Sequence, residues 1–324
     1  MAVEQEEKLE NYDFLIIGAG GTGLAAGMYA GRLGLKTLIL GTTHGSELPI
    51  GGTITTTDVV ENYPGFPKIT GFELAKNLEK HAKDYSDLVS IKNEKAIEIT
   101  KSGKWFNVKT EKSEYKSLTL LFATGTKWRR LTVPGAKEFE TKGVYYCALC
   151  DGPLFKNKDV AVMGGGNSAA KDALILARHA KKVYLISRKE TLTAEPANIE
   201  KLKEAKNIEL VPGANIEQVK GTKFVESIVL DKVHNGKKEL AVEGVFVAIG
   251  HVALSELAES LGVELAKDKE IKVNRETQET NIPGVYAAGD VVESKFKQLI
   301  TGVAEGCTAA YSAYEHITKN KFVR

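Results

Sequence analysis

The chain has 324 residues, enough for two domains, with the 43% apolar and 27% charged content of an ordinary globular protein. Its 44 Lys and Arg against 42 Asp and Glu leave a formal charge of +2, which argues against nucleic acid as the main partner. No apolar run reaches the ~18 residues of a membrane span, the N-terminus is polar and acidic rather than a basic start with an apolar stretch, and three cysteines make no disulfide scaffold. A cytoplasmic protein is expected.

The first element is the apolar run Tyr12–Ile17, a buried strand. Gly18-Ala19-Gly20-Gly21-Thr22-Gly23 follows, then an Ala-rich helical stretch, Leu24–Leu33, and a second strand, Thr37–Leu40. This βαβ order is the context in which a GxGxxG motif signals a dinucleotide. Gly18 permits the tight turn, Gly20 lets the backbone approach a pyrophosphate, and Gly23 lets helix and strand pack closely. The acid that should end the second strand and hold a ribose is missing: Gly41-Thr42-Thr43-His44 stands there, and the nearest carboxylate is Glu47. Thr hydroxyls and Glu47 are both open for that role.

Further on, the strand Leu118–Phe122 runs into Ala123-Thr124-Gly125. Next comes Cys147-Ala148-Leu149-Cys150-Asp151. At this spacing the two sulfurs close a short disulfide, a helix start would favour the thiolate, and Asp151 is well placed to exchange a proton with a departing or attacking thiol. Structural zinc needs about four ligands, and the one other cysteine, Cys307, is far away with no His near the pair, so no metal is expected. An inert buried pair is the alternative left open, because reactivity depends on exposure.

A second βαβ unit begins at once: strand Asp159–Met163, turn Gly164–Gly166, helix Asn167–Ala180, strand Lys182–Ile186. Its fingerprint is Gly164-x-Gly166-x-x-Ala169, alanine being allowed at the third position. The second strand runs into Ser187, not an acid, and Arg188 and Lys189 follow. Cations here favour a 2′-phosphate and therefore NADPH over NADH, the alternative being two solvated surface charges. Near the C-terminus an apolar strand ends in Ala288-Gly289-Asp290.

Taken together, Gly18-x-Gly20-x-x-Gly23, Glu61-Asn62-Tyr63-Pro64-Gly65, Ala123-Thr124-Gly125, Cys147-x-x-Cys150-Asp151, Gly164-Gly165-Gly166-Asn167-Ser168-Ala169, Ala248-Ile249-Gly250-His251 and Ala288-Gly289-Asp290 stand in the order seen in low-molecular-weight thioredoxin reductases, which the chain resembles from about Tyr12 to about His316. The resemblance implies an α/β protein with two Rossmann-like dinucleotide-binding domains, the NAD(P)H domain (128–253) inserted into the FAD domain (1–127 and 254–324), and a homodimer. It implies that NADPH reduces FAD, that FAD reduces the Cys147–Cys150 disulfide with Cys150 on the flavin side, and that Cys147 then attacks the disulfide of thioredoxin or a similar small redox protein. Gly18, Gly20, Gly23, Gly52, Asn62, Thr124, Gly125, Gly289, Asp290 and Gln298 would serve FAD; Gly164, Gly166, Asn167, Ser168, Arg188 and Lys189 would serve NADPH.

The chain also departs from the family pattern. The family's 2′-phosphate motif His-Arg-Arg-x-x-x-Arg is here Ser187-Arg188-Lys189-Glu190-Thr191-Leu192-Thr193, so the last cation is lost and Glu190 adds a negative charge. Lys297-Gln298-Leu299 stands for Arg-Gln-Ala, keeping the charge without the guanidinium fork. The loop from Thr42 to Gly51 is longer than usual. These departures keep open NADH or a non-nicotinamide donor such as reduced ferredoxin, and, in another class, a flavin-binding redox sensor without turnover. Cys307, in a small-residue helix, reads as packing.

Overall fold

The structure, a computed structural model, describes residues 10–41 and 48–320. Of the sequence expectations, Thr42, Thr43, His44 and Glu47 lie outside the described residues. The chain forms two compact units, Met1–Lys127 with Val252–Arg324, and Trp128–His251.

The first unit is built on one sheet, with strands in the order Val89–Asn93, Thr37–Gly41, Glu10–Ile17, Glu114–Phe122, Trp105–Thr110, Ala96–Ser102. The first four are mutually parallel, the last two are antiparallel to their neighbours, and Val285–Ala287 returns to pair in parallel with Glu114–Phe122. Apolar runs suit this position because both faces are covered. Leu15, Ile17, Leu38, Leu40, Leu120 and Phe122 pack into one core. Phe14, Ile16, Ile39 and Leu121, pointing the other way, pack into a second core with helix Gly21–Arg32 and the C-terminal helix Leu299–Lys319. Gly23 makes the strand–helix contact possible: a Cβ there would lie 1.9 Å from the Gly18 carbonyl oxygen.

The second unit repeats the plan with a five-stranded parallel sheet, Ile208–Pro212, Lys182–Ser187, Asp159–Met163, Gly244–Val247, Val144–Tyr145. A three-stranded antiparallel sheet, Ile216–Gly221, Val225–His234 and Lys237–Ala241, joins its core and had no sequence expectation. The helix expected over Asn167–Ala180 ends at Leu176. The reason is tertiary: the Asn207 side-chain amide donates to the carbonyls of Ala177 and Ala180, satisfying groups that a longer helix would have kept. Among the described residues no helix is long and apolar enough to cross a membrane.

Candidate active site

The first unit holds a cavity of about 670 Å³. Its walls are the first glycine turn (Gly18–Thr22), the segment Leu48–Ile54, the stretch Glu94–Ile97, the turn Ala123–Lys127, and Asp290 with Lys297–Leu299. Seven of the residues expected to serve FAD line it: Gly18, Gly20, Gly52, Thr124, Gly125, Asp290 and Gln298. Two of these walls are tied by hydrogen bonds to the backbone. Gly51 donates its N–H to the Ala19 carbonyl at 2.8 Å, and the Thr124 hydroxyl donates to the Leu254 carbonyl at 2.6 Å. Helix Gly21–Arg32 starts at this cavity with no acid in its first turn, so no carboxylate of its own competes for the N–H groups at its start.

The other three expected residues are not among those that line it. Gly23 is the packing contact described above. Asn62 donates its side-chain amide to Gln298 Oε1 at 3.0 Å, which fixes the orientation of Gln298. Gly289 donates its N–H to Glu305 Oε2 at 2.8 Å. Three acids at this site, Glu94, Glu256 and Glu270, carry no sequence signal. Glu94 lines the cavity and accepts from Thr110 and Tyr115, Glu256 lines it and pairs with Lys127 at 3.1 Å, and Lys297 pairs with Glu270 at 2.5 Å.

In the second unit Cys147 and Cys150 form a disulfide, with Cα atoms 5.3 Å apart. Cys147 caps the four-residue helix Ala148–Asp151, and its sulfur accepts from the Cys150 N–H at 3.2 Å. Cys147 is half-buried and Cys150 exposed, so the pair is open to reaction rather than sealed in the core. Asp151, also half-buried, has its carboxyl pushed up by burial, which favours the protonated form that can donate. Tyr145 behind it is pushed up by burial and, second, by the Asp151 charge.

The second glycine turn lies in the same unit. Gly164 donates its N–H to Ile186, and helix Asn167–Leu176 starts directly after Gly166, again with no acid in its first turn. Asn167 turns its side-chain oxygen to the Glu195 N–H (2.5 Å) and the Asn198 amide (3.2 Å), bracing the strand-to-helix connection. Ser168 is exposed at the helix start. Arg188 and Lys189 are exposed and make no ion pair among the described residues. Thr193, where the family motif has its last cation, donates through its N–H to the Gly165 carbonyl at 2.7 Å. The Glu190 carboxylate lies against Gly213, where an added Cβ would come within 2.2 Å of Glu190 Oε1.

Asp172, on the helix that follows this turn, belongs to no sequence motif. Burial pushes its carboxyl up to about 7. The unfolded chain gives up this proton near pH 4, so the stability that Asp172 leaves intact at low pH is lost as pH rises from about 4 to 7. Asp172→Asn is therefore expected to raise Tm at pH 8 relative to pH 5 by about 2–4 °C, after discounting for partial exposure. Thermal unfolding at the two pH values checks this, and an equal effect at both would remove the argument.

Cys307 is half-buried, with Sγ 4.0 Å from the Ala25 carbonyl, and burial pushes its thiol up, which suits packing rather than chemistry. Among the described residues no group of three or more His, Cys, Asp or Glu is arranged to hold a metal ion.

Residues 12–306 match the pyridine nucleotide-disulphide oxidoreductase family. The chain is 36% identical over 314 residues to thioredoxin reductase from Treponema pallidum, covering 95% of this chain and 97% of that protein. Its structure is similar to that of Lactococcus lactis thioredoxin reductase, with a TM-score of 0.89 at 32% identity, covering 95% of this chain and 99% of the other. It is also similar to a ferredoxin-flavin thioredoxin reductase from Clostridium acetobutylicum, with a TM-score of 0.52 at 31% identity, covering 96% of this chain and 99% of the other.

Proposed function

We propose a reaction from one established premise: the chain belongs to the pyridine nucleotide-disulphide oxidoreductase family and is a flavin-dependent oxidoreductase of the low-molecular-weight thioredoxin reductase type. We read it as an NADPH-dependent reductase of thioredoxin or a similar small redox protein. The observation that carries this reading is the accessible Cys147–Cys150 disulfide, with half-buried Asp151 directly behind it, in the unit that holds the second glycine turn.

FAD, once bound, supplies a two-electron relay between a nicotinamide and the disulfide. The first-unit cavity fits such a group: its glycine walls leave no side chain where a pyrophosphate must approach, and an open helix start faces it. Gly18, Gly20, Gly52, Thr124 and Gly125 would form the wall. Asp290 and Gln298, the latter aligned by Asn62, would supply the polar contacts. In the second unit Gly164, Gly166, Asn167 and Ser168 would frame the pyrophosphate of NADPH, and Arg188 and Lys189 would meet its 2′-phosphate.

Two electrons and two protons convert the Cys147–Cys150 disulfide to a dithiol, with Asp151 delivering a proton to the departing thiolate. The Cys147 thiolate then attacks the partner's disulfide, forming a mixed disulfide and releasing the partner's other sulfur as a thiolate. Cys150 attacks Cys147 in turn, which frees the reduced partner and restores the starting disulfide. The protein would act as a homodimer in the cytoplasm.

The deciding experiment is anaerobic mixing of the flavin-loaded protein with NADPH and, separately, NADH, followed by addition of oxidised thioredoxin. Rapid bleaching by NADPH and recovery of the yellow colour with thioredoxin are expected, and bleaching by NADH alone would overturn the donor assignment. Arg188→Ala with Lys189→Ala is expected to raise KM for NADPH about tenfold or more while leaving that for NADH within twofold, a loss on the scale of one charge-assisted contact to phosphate. A second reading, with a protein donor such as a reduced ferredoxin, draws on Glu190 and on Thr193, whose N–H is tied to Gly165 where the family motif carries a cation. Flavin that neither nicotinamide bleaches but a reduced ferredoxin does would establish it. Bleaching without any turnover of a protein disulfide would favour a redox sensor instead.

A further inference from the structure

The turn Gly289–Val291 carries Asp290 into the cavity wall, and two charged side chains grip its backbone from opposite ends. At the entering end, Glu305 Oε2 accepts the Gly289 N–H at 2.8 Å, and Glu305 is itself paired with Arg275, Nη1 to Oε1, at 3.4 Å. At the leaving end, Lys297 Nζ donates to the Asp290 carbonyl at 2.6 Å and to Glu270 Oε1 at 2.5 Å. Glu305, Lys297 and Glu270 are each 25% exposed or less. Charge-assisted hydrogen bonds from such positions are shorter and stronger than neutral ones and are screened less by salt than surface pairs. The four side chains come from three separate stretches of the first unit, so none of the pairs is a by-product of helix spacing.

We propose that Glu305 and Lys297, each backed by its own counter-ion, clamp the Gly289–Asp290 turn and thereby set the position of the Asp290 carboxylate in the flavin cavity. The inference rests on the reading of that cavity as the FAD site. Glu305, Lys297, Arg275 and Glu270 are then positioning residues acting through Asp290, with Lys297 also forming part of the wall. Without the clamp the turn still satisfies Ala288 N–H through Phe122 and Val292 N–H through Gly289, so it persists, and what the clamp adds is the placement of the Gly289–Asp290 backbone.

The test is titration of FAD into flavin-free protein, followed by flavin fluorescence quenching, on the full chain. Lys297→Met and Glu305→Ala are each expected to raise the Kd for FAD about tenfold or more, as for loss of one hydrogen bond to a charged group. Lys297→Arg and Glu305→Gln, which keep the contact to the turn, are expected to restore most of the affinity. The surface pair Lys269–Glu259 serves as control, and Lys269→Met is expected to leave the Kd within twofold. Circular dichroism of each flavin-free variant confirms folding; should Lys297→Met or Glu305→Ala fail to fold, Glu270→Gln and Arg275→Met, which leave the turn's own contacts in place, decide with an expected rise of about threefold. Kd values for folded variants within twofold of wild type would overturn the clamp while leaving the FAD site standing. Failure of the wild-type protein to bind FAD would overturn both.

Discussion

Cys147→Ser and Cys150→Ser are each expected to abolish turnover of a protein disulfide, by at least about a thousandfold, because a hydroxyl replaces neither the nucleophile nor its partner in exchange. Both variants should still fold and keep their flavin, since the pair sits at the start of a four-residue helix and Cys150 is exposed. The two substitutions differ in what they trap. With a thioredoxin disulfide, Cys150→Ser should accumulate a mixed disulfide through Cys147, and Cys147→Ser should not. Non-reducing electrophoresis and mass spectrometry read this directly. The opposite pattern would reassign the attacking sulfur to Cys150, which is the more exposed of the two. Wild-type turnover in either variant would remove the disulfide from the mechanism. Asp151→Asn, which keeps the shape but not the proton, should slow turnover by the 10²–10⁴-fold typical of a lost general acid or base, roughly.

Gly18→Ala carries the second large effect. An added Cβ there would lie 2.2 Å from the Ala123 carbonyl oxygen, and the backbone sits at φ +116°, where an L-residue is strained. The oxygen belongs to the backbone of the neighbouring strand end, so relief requires moving the sheet rather than rotating a side chain. Strain and overpacking together are expected to cost about 3 kcal/mol or more, a large part of a typical domain's 5–15 kcal/mol or so. The variant should purify without yellow colour and unfold at a lower denaturant midpoint. Gly125→Ala, in the same cavity wall, has φ +65° but no atom within 4 Å of the added carbon, and is expected to cost only about 1–2 kcal/mol. Flavin content and urea unfolding of the pair check the contrast, and a Gly18→Ala protein with full flavin content would refute it.

The elements that the sequence made legible are those whose signal is local. Strands such as Tyr12–Ile17 and Asp159–Met163 are short apolar runs that need a covered sheet, and both glycine turns are positions where a Cβ would strike a neighbouring carbonyl. The helix beyond the second turn stops at Leu176, short of the Ala180 that its composition predicts, because its end is set by Asn207, 30 residues after the Ala177 carbonyl that it binds. The antiparallel sheet Ile216–Ala241 has no such mark: its strands, IEQVKG, VESIVLDKVH and KKELA, lack the regular apolar–polar alternation of a half-buried strand and carry no motif.

The site divides along the same line. The reactive inventory is readable along the chain: two thiols spaced to form a disulfide, an acid behind them, and two glycine turns each followed by a helix. Those features depend on bond geometry within a few residues, so order along the chain is enough to reveal them. Which charges serve the cavity depends on chain segments far apart in sequence that the fold brings together. Asn62 meets Gln298 across 236 positions, Glu305 meets Arg275 across 30, and Lys297 meets Glu270 across 27. In a chain with 86 charged residues (44 basic and 42 acidic) a Lys or Glu carries no sequence mark of its partner. Burial and approach distance, which the fold alone fixes, separate the few that hold Asp290 in place from the many that face solvent.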